Sequence, residues 1–364
     1  MARSLVSFNN TMAQNFTHLR FPLSFLIICL YINSTLAGKA HNFYPFFKVD
    51  TDGTIHRYQE AKFVPPSFSP NTGVQSKDVT ILPEQNVSAR LYLPKISGKN
   101  QKFPLLVYIH GGGFCTGSAS SPMYDSYLHK LTAESNAVAV SIDYRLAPEY
   151  SIPICYDDSW AVMKWVEQGT DPWLKERADF SRVYLVGDSA GANIAHNMMV
   201  RASEESHFSP SLVGMALIDP YFGNDKPDTL WTYLCPKTTG IYDPRFNPAA
   251  HPRLLSKLNC SKVLVCTAGK DFLRDRAWTY YETIKKSGWK GEIGIKEIEG
   301  EDHVFHLYNQ TSEKAKVLMK SVVDFLVFDD SSQQVNLGSK VSEFSTSLII
   351  FVFNLFCICI YKSS

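Results

Sequence analysis

The sequence predicts an α/β fold in which a mostly parallel central sheet is flanked by helices. Two observations support this prediction: short apolar, β-branched runs recur along the chain, and segments with helical periodicity separate them. Six runs are typical of buried strands, at residues 105–110, 137–142, 183–187, 213–218, 263–268 and 293–298. Because ligands bind at the carboxyl ends of such strands, we expect the chemistry just after each run.

Two segments have the apolar spacing of an amphipathic helix. Residues 190–202 place Ile194, Ala195, Met198, Met199 and Ala202 on one face, and residues 312–326 do the same with Ala315, Leu318, Met319 and Val322. The first of these segments follows a strand directly. The sequence therefore predicts a tight strand-to-helix turn near residue 188.

The composition excludes several classes of protein. The 364 residues include 36 Lys and Arg against 35 Asp and Glu, and this balance argues against a nucleic-acid partner. A hydrophobic content of 45% argues against disorder, and the chain is long enough to bury a core without disulfides. The eight cysteines form neither a CxxC pair nor a zinc-spaced Cys/His cluster, so we expect no metal.

The two ends of the chain differ from its middle. Residues 1–40 form an N-terminal extension whose apolar run at 21–32 has a signal-peptide pattern, unless the start codon lies too far upstream. Residues 329–364 form a tail with an apolar run at 348–361, which fits a tail anchor, a removed GPI signal or a misread exon end. These runs predict the secretory pathway or membrane association if they are genuine. Residues 41–328 are predicted to form one globular domain.

The strongest motif joins the third apolar run to the helix that follows it. Gly187-Asp188-Ser189-Ala190-Gly191 is a G-x-S-x-G sequence between a strand and a helix, the pattern of a nucleophile elbow. Small residues on both sides allow the tight turn, and the helix amino end adds positive potential behind Ser189. The alternative is an ordinary serine N-cap in a glycine-rich turn.

A second motif follows the first apolar run. His110-Gly111-Gly112-Gly113-Phe114 matches the HGGG oxyanion loop of lipases and esterases, and it precedes the elbow as that topology requires. Its glycines let backbone N–H groups approach an anion closely. We expect His110 to support the loop by hydrogen bonding and not to act as a base. The alternative is a flexible turn, but two motifs in this order favour nucleophilic hydrolase chemistry.

Two further strand ends supply an acid and a base. Asp271 is the first carboxylate after its apolar run, and Asp275, one helical turn later, is its rival. His303 lies in a short loop before the final helix, and His306 is its rival. We expect Ser189, Asp271 and His303 to form a catalytic triad, with Asp275 on an exposed helix surface and His306 in a structural role.

Four separated motifs together resemble the plant carboxylesterases of the hormone-sensitive-lipase group. They are HGGGF, the segment SIDYRLAPE at 141–149, GDSAGAN and EDHVFHL, and the similarity extends over about residues 42–328. The resemblance implies an α/β-hydrolase fold, a small-molecule ester substrate, no cofactor and a cytoplasmic location. It also implies an oxyanion hole built from the N–H groups of Gly111, Gly112 and Ala190, with Gly113 and Asp188 in support. Segment 144–149 would brace the site, and lids would come from about 41–75 and 220–255.

The same group includes proteins with other activities. Gibberellin receptors share the fold but lack the catalytic histidine, so His303 argues against a pure receptor. Hydroxyisoflavanone dehydratases keep a similar triad and carry out an elimination. The motifs therefore predict a carboxylesterase and leave the dehydratase as an alternative.

Overall fold

The computed structural model describes residues 39–205 and 207–327. The predicted apolar runs at 21–32 and 348–361 lie outside these residues. None of the helices in the described ranges is long and apolar enough to cross a membrane. Contacts divide the chain into two units, Met1–Glu60 and Ala61–Ser364.

The described part of the first unit is a small antiparallel sheet. Its strands pair in the order β1 (His41–Phe43), β2 (Phe47–Val49) and β3 (Ile55–Arg57). The turn between β2 and β3 closes with a hydrogen bond from Gly53 N–H to Asp50 O, 3.0 Å. Three-residue strands are too short for a periodicity signal, which explains why the sequence did not predict them.

The second unit contains an eight-stranded sheet. Its strands are β4 (Gln75–Leu82), β5 (Val87–Leu93), β6 (Phe103–Ile109), β7 (Val138–Asp143), β8 (Ala178–Asp188), β9 (Leu212–Ile218), β10 (Lys262–Ala268) and β11 (Glu292–Ile298). They are arranged in the order β11-β10-β9-β8-β6-β7-β5-β4. β5 runs antiparallel to both of its neighbours, β4 and β7, and every other pairing in this sheet is parallel. The six predicted strands are thereby confirmed as β6 to β11.

Nine helices accompany the sheet in the described residues. They are α1 (Pro122–Ser135), α2 (Ile154–Gln168), α3 (Pro172–Arg177), α4 (Ala190–Glu204), α5 (Thr229–Leu234), α6 (Pro252–Leu255), α7 (Arg274–Lys286), α8 (Phe305–Tyr308) and α9 (Glu313–Val327). Helices α1 and α9 pack together and share one buried cluster with β6 and β8. Helix α4 packs on β8, β9 and α2. The two predicted helices are confirmed as α4 and α9.

The register of the central strands brings their carboxyl ends together. Ile109 of β6 is opposite Gly187 of β8, and Asp188 is opposite Ile218 of β9. Ile218 in turn is opposite Cys266 of β10. The loops that follow β6, β8, β9 and β10 therefore start from neighbouring points at one edge of the sheet.

The antiparallel edge of the sheet is stabilised by a buried arginine. Arg90 of β5 is 1% exposed, and its guanidinium donates to both carboxylate oxygens of Asp78 at 2.7 and 2.8 Å. It also donates to Asp125 Oδ1 at 3.0 Å and to Val64 O at 2.8 Å. These bonds satisfy the buried charge and join β4, β5 and α1.

We expect Arg90→Leu to lower the free energy of unfolding by about 3 kcal/mol, because it leaves the partly buried Asp125 without its cation. Urea denaturation followed by circular dichroism measures this loss. Lys102→Leu, which removes an exposed bond to Lys175 O, should change stability by less than about 0.5 kcal/mol. Equal effects of the two substitutions would contradict the importance of the buried network.

Candidate active site

The turn at Ser189 is forced into a conformation that L-residues rarely adopt. β8 ends at Asp188 and α4 begins at Ala190, and Ser189 between them has φ 50° and ψ −119°. A Cβ atom on Gly191 would lie 2.0 Å from Ile109 O, and one on Gly187 would lie 2.5 Å from the Gly191 backbone. The glycines of the motif are therefore required because the backbones of β6 and α4 approach closely.

Three of the predicted side chains form one hydrogen-bonded chain. His303 Nε2 lies 2.9 Å from Ser189 Oγ, and His303 Nδ1 lies 2.9 Å from Asp271 Oδ2. The other oxygen of Asp271 accepts the Leu273 N–H at 2.8 Å, which fixes the carboxylate. When His303 Nδ1 carries the proton, Nε2 is free to accept the hydroxyl proton of Ser189.

The two rival residues are elsewhere. The Asp275 side chain is 92% exposed and pairs with Arg274. His306 is 2% exposed, its ring packs against Tyr127, and neither of its nitrogens has a hydrogen-bond partner among the described residues. Burial lowers the pKa of His306 to about 3, so it stays neutral at ordinary pH.

The surroundings of His303 favour its protonated form. Burial by itself lowers its pKa, but the hydrogen bond and charge of Asp271, together with the charges of Asp219 and Asp188, outweigh burial. The pKa of His303 is therefore raised above its ordinary value. His303 is therefore a stronger base than a free histidine, and it becomes protonated at a higher pH.

The HGGG loop has two different kinds of N–H group. The Gly111 N–H donates to Tyr124 Oη at 2.9 Å and to Asp188 Oδ1 at 3.2 Å. This geometry contradicts the expectation that Gly111 supplies an oxyanion donor, because its hydrogen already has two acceptors in the protein. The N–H groups of Gly112, Gly113 and Ala190, in contrast, have no acceptor among the described residues.

Asp188 connects the elbow to this loop. It is 1% exposed and accepts hydrogen bonds from Tyr108 Oη at 2.7 Å, from Tyr124 Oη at 2.9 Å and from Gly111 N–H. Burial raises the pKa of Asp188 to about 6, although these donors and His303 act in the opposite direction. The residue was expected to support the elbow, and the structure gives it these three donors.

His110 is fully buried beneath the same loop. Its Nδ1 lies 2.8 Å from Gly111 O, its ring stacks on Tyr144, and Tyr144 Oη donates to His110 O at 2.8 Å. Burial lowers the pKa of His110, so the ring is neutral at ordinary pH. These contacts hold the ring beneath the loop, as a supporting role requires.

One residue of the site was missed by the sequence reasoning. Asp219 follows β9, is 1% exposed, and accepts the N–H groups of Ala268 at 2.9 Å and Val304 at 2.8 Å. Burial raises its pKa to about 7, against the charge of His303 and the two N–H bonds. The only available signal was a carboxylate directly after an apolar run, and no motif surrounds it.

Asp219, Asp271 and His303 also have the donor atoms of a metal site. Their atoms lie within 4.8 Å of one another. However, His303 uses Nδ1 for Asp271 and Nε2 for Ser189, and both Asp219 oxygens accept backbone N–H groups. A cation could bind His303 only by breaking its bond to Ser189 or to Asp271, so the cluster fits a triad with an additional carboxylate better than a metal centre.

The segment between β9 and β10 contributes buried aromatic rings next to the HGGG loop. The Phe114 ring lies 5.5 Å from the ring of Tyr221 and 5.9 Å from that of Trp231. All three side chains are at most 4% exposed. The expectation that 220–255 forms a lid stays a prediction, as does that for 41–75.

Known proteins with similar sequences identify the family of this chain. A family profile described as the alpha/beta hydrolase fold matches residues 106–307. The chain belongs to this family. It is 41% identical to a 2-hydroxyisoflavanone dehydratase from Glycyrrhiza echinata, over 78% of this chain and 94% of that protein.

Two further α/β-hydrolases extend the comparison. The chain is 38% identical to probable carboxylesterase 2 of Arabidopsis thaliana, over 78% of this chain and 94% of that protein. The crystal structure of a hyperthermophilic esterase from Pyrobaculum calidifontis superposes with a TM-score of 0.57 at 26% identity, covering 70% of this chain and 85% of that one. The predicted resemblance to plant carboxylesterases is thereby confirmed.

We expect the pH dependence of this hydrolase to follow His303. Since a base must be neutral to accept a proton, kcat/KM for a p-nitrophenyl ester should fall as pH decreases through a pKa above the ordinary value of about 6.5. His306→Leu should leave this acid limb in place, because His306 is already neutral there. If the acid limb shifts in His306→Leu, the ionisation belongs to His306 and the assignment to His303 is wrong.

Proposed function

We propose that this chain is a carboxylesterase that hydrolyses small apolar or aromatic carboxylic esters through an acyl-serine intermediate. The hydrogen-bonded chain from Ser189 through His303 to Asp271, with both links at 2.9 Å, is the observation that carries the proposal. It lies at the carboxyl edge of the parallel sheet, beside a loop with unused N–H groups.

Acylation begins at the hydroxyl of Ser189. His303 Nε2 takes the hydroxyl proton while Ser189 Oγ attacks the ester carbonyl carbon. Asp271 accepts the His303 Nδ1–H, holds the ring in the required tautomer and stabilises the imidazolium that forms. The nucleophile, base and acid thus act in sequence along one line of hydrogen bonds.

The tetrahedral intermediate has a negative oxygen that needs donors. The N–H groups of Gly112, Gly113 and Ala190 are suited to this role, because no acceptor in the described chain occupies them. Each donor aimed at the oxyanion contributes about 3–4 kcal/mol in comparable sites. Gly111 has the different task of holding the loop against Asp188 and Tyr124.

The remaining proton transfers complete acylation and then release the acyl group. His303 returns its proton to the leaving alcohol, then removes a proton from the water that attacks the acyl carbon. The carboxylic acid leaves and Ser189 recovers its hydroxyl proton. The proposed reaction uses no cofactor.

An exposed aromatic ring beside the base supports the choice of apolar substrates. The Phe272 side chain is 69% exposed, and its ring centroid is 5.1 Å from that of His303. His303 is the group that protonates the leaving alcohol, so Phe272 offers an apolar surface where an aromatic or alkyl alcohol would lie.

A dehydratase is the second candidate, because a relative at 41% identity carries that name. Elimination would use His303 to remove a proton from one carbon and deliver it to the hydroxyl group that leaves the neighbouring carbon, so that a C=C bond and water form without any acyl-enzyme. Incubation with a 2-hydroxyisoflavanone, followed by chromatography for the isoflavone, tests this directly beside a panel of p-nitrophenyl esters. Isoflavone formation without ester turnover would replace the carboxylesterase proposal.

We expect Ser189→Ala to lower kcat on p-nitrophenyl butyrate by about 10⁵- to 10⁶-fold, because the acyl acceptor is removed. Ser203→Ala, at the far end of α4, is the matched control and should keep full activity. An organophosphate should label Ser189, as checked by peptide mass spectrometry. Labelling of another serine together with activity in Ser189→Ala would refute the assignment.

The two candidate acids should behave differently. Asp271→Asn should lower kcat by about 10⁴-fold, as expected when the histidine loses its correct tautomer. Asp275→Asn should change kcat by less than about twofold, because that side chain is exposed on α7. Steady-state kinetics on one ester distinguish the two, and the opposite ranking would contradict the proposed acid.

A further inference from the structure

We infer that Asp219 is a positioning residue that joins the acid loop to the base loop and keeps the imidazole of His303 aimed at Ser189. The inference rests on the proposed function and concerns a residue outside the triad. Asp219 begins the loop after β9, is almost fully buried, and has a left-handed backbone with φ 47°.

The carboxylate of Asp219 makes one hydrogen bond to each side of the site. Oδ1 accepts the N–H of Ala268, the last residue of β10, and the Ala268 carbonyl in turn accepts the Asp271 N–H at 3.1 Å. Oδ2 accepts the N–H of Val304, the residue directly after His303. The same carboxylate therefore fixes the backbone that carries the acid and the backbone that carries the base.

The backbone at Val304 requires such a restraint. Val304 is β-branched and has φ 48°, a region that β-branched residues avoid. The Asp219 hydrogen bond offsets the cost of this conformation, which sets the direction of the preceding His303 side chain. Without it, the backbone at Val304 would be free to relax and Nε2 would move away from Ser189 Oγ.

In its ionised form, Asp219 also acts electrostatically on His303. Three carboxylates act on this imidazole, from Asp271 after β10, Asp219 after β9 and Asp188 at the end of β8. Burial and, to a lesser extent, the charge of His303 lower the pKa of His306 in α8, and His306 is therefore neutral. Besides burial, His303 and Asp271 influence the pKa of Asp219 in turn, and Asp219 adds to the effect of burial in raising the pKa of the Cys266 thiol.

Asp219→Asn tests the inference with little change in shape. The asparagine amide has one oxygen, which can accept only one of the two N–H groups of Ala268 and Val304. Its NH₂ group faces the other N–H, and the negative charge is lost. We expect kcat on p-nitrophenyl butyrate to fall by about 10- to 100-fold, with KM within about twofold. The acid limb of the pH profile should move to lower pH, because less negative charge is left to stabilise the imidazolium.

Asp171→Asn is a matched control. Asp171 also has a buried carboxylate, 8% exposed, that accepts a backbone N–H, from Trp173. It caps α3 before the start of β8, whereas the triad lies beyond the other end of that strand. This variant should lose stability but keep the kcat and pH profile of the wild type.

An NMR titration of His303 gives a readout that does not depend on turnover. With ¹³C-labelled histidine, and the His303 signal assigned by its loss in His303→Gln, the pKa of His303 should be lower in Asp219→Asn than in the wild type. If the wild type hydrolyses esters but Asp219→Asn keeps its kcat and acid limb, the inference is overturned and the triad stands. If the wild type hydrolyses none of the esters, the carboxylesterase proposal fails, and the titration still decides the role of Asp219.

A purely structural role would give a different result. It would lower the melting temperature and kcat of Asp219→Asn without moving the acid limb or the NMR titration, and this outcome also overturns the inference. Should Asp219→Asn fail to fold, Asp219→Ser replaces it, since the hydroxyl can still accept one N–H and the charge is still removed. The same shift of the acid limb is then required.

Discussion

The close approach of α4 to β6 is the constraint on which the rest of the site depends. With Gly191 against Ile109 O, the chain reverses within one residue, and only the left-handed conformation of Ser189 allows it. The turn places the hydroxyl at the carboxyl edge of the sheet and the amino end of α4 behind it. The acid, the base and the oxyanion loop must then all be positioned relative to this one fixed atom, Ser189 Oγ.

A second constraint is electrostatic, because Asp188, Asp219 and Asp271 surround a single imidazole in a buried region. Burial opposes the ionised form of Asp188 and Asp219, and both have raised pKa values. The molecule offsets this with hydroxyl and backbone donors: Tyr108, Tyr124 and Gly111 for Asp188, Ala268 and Val304 for Asp219. The hydrogen bonds that make the buried charges tolerable are also those that hold the loops.

The parts predictable from sequence are those with a local signature. Apolar runs identified β6 to β11, and the order of motifs brought Ser189, Asp271 and His303 forward as candidates. β5 was not predicted because Arg90 interrupts its apolar run, although this arginine is buried and forms an ion pair with Asp78. The role of the Gly111 N–H was predicted wrongly because its acceptors are side chains of α1 and β8, 13 and 77 residues further along the chain, which the motif does not include. Asp219 had no motif, since its partners are backbone groups of other loops.

The two hydrogen-bond networks divide the work of preorganising the site. Asp188 ties the elbow to the HGGG loop through Gly111 and Tyr124, so the nucleophile and the unused N–H groups of Gly112 and Gly113 are held by the same carboxylate. Asp219 holds the acid and base loops in the corresponding way. Donors that are fixed before the oxyanion forms need no reorganisation during the reaction, which is where such sites gain most of their stabilisation. Asp188 and Asp219 therefore contribute to the proposed reaction by holding the triad and the oxyanion donors in position.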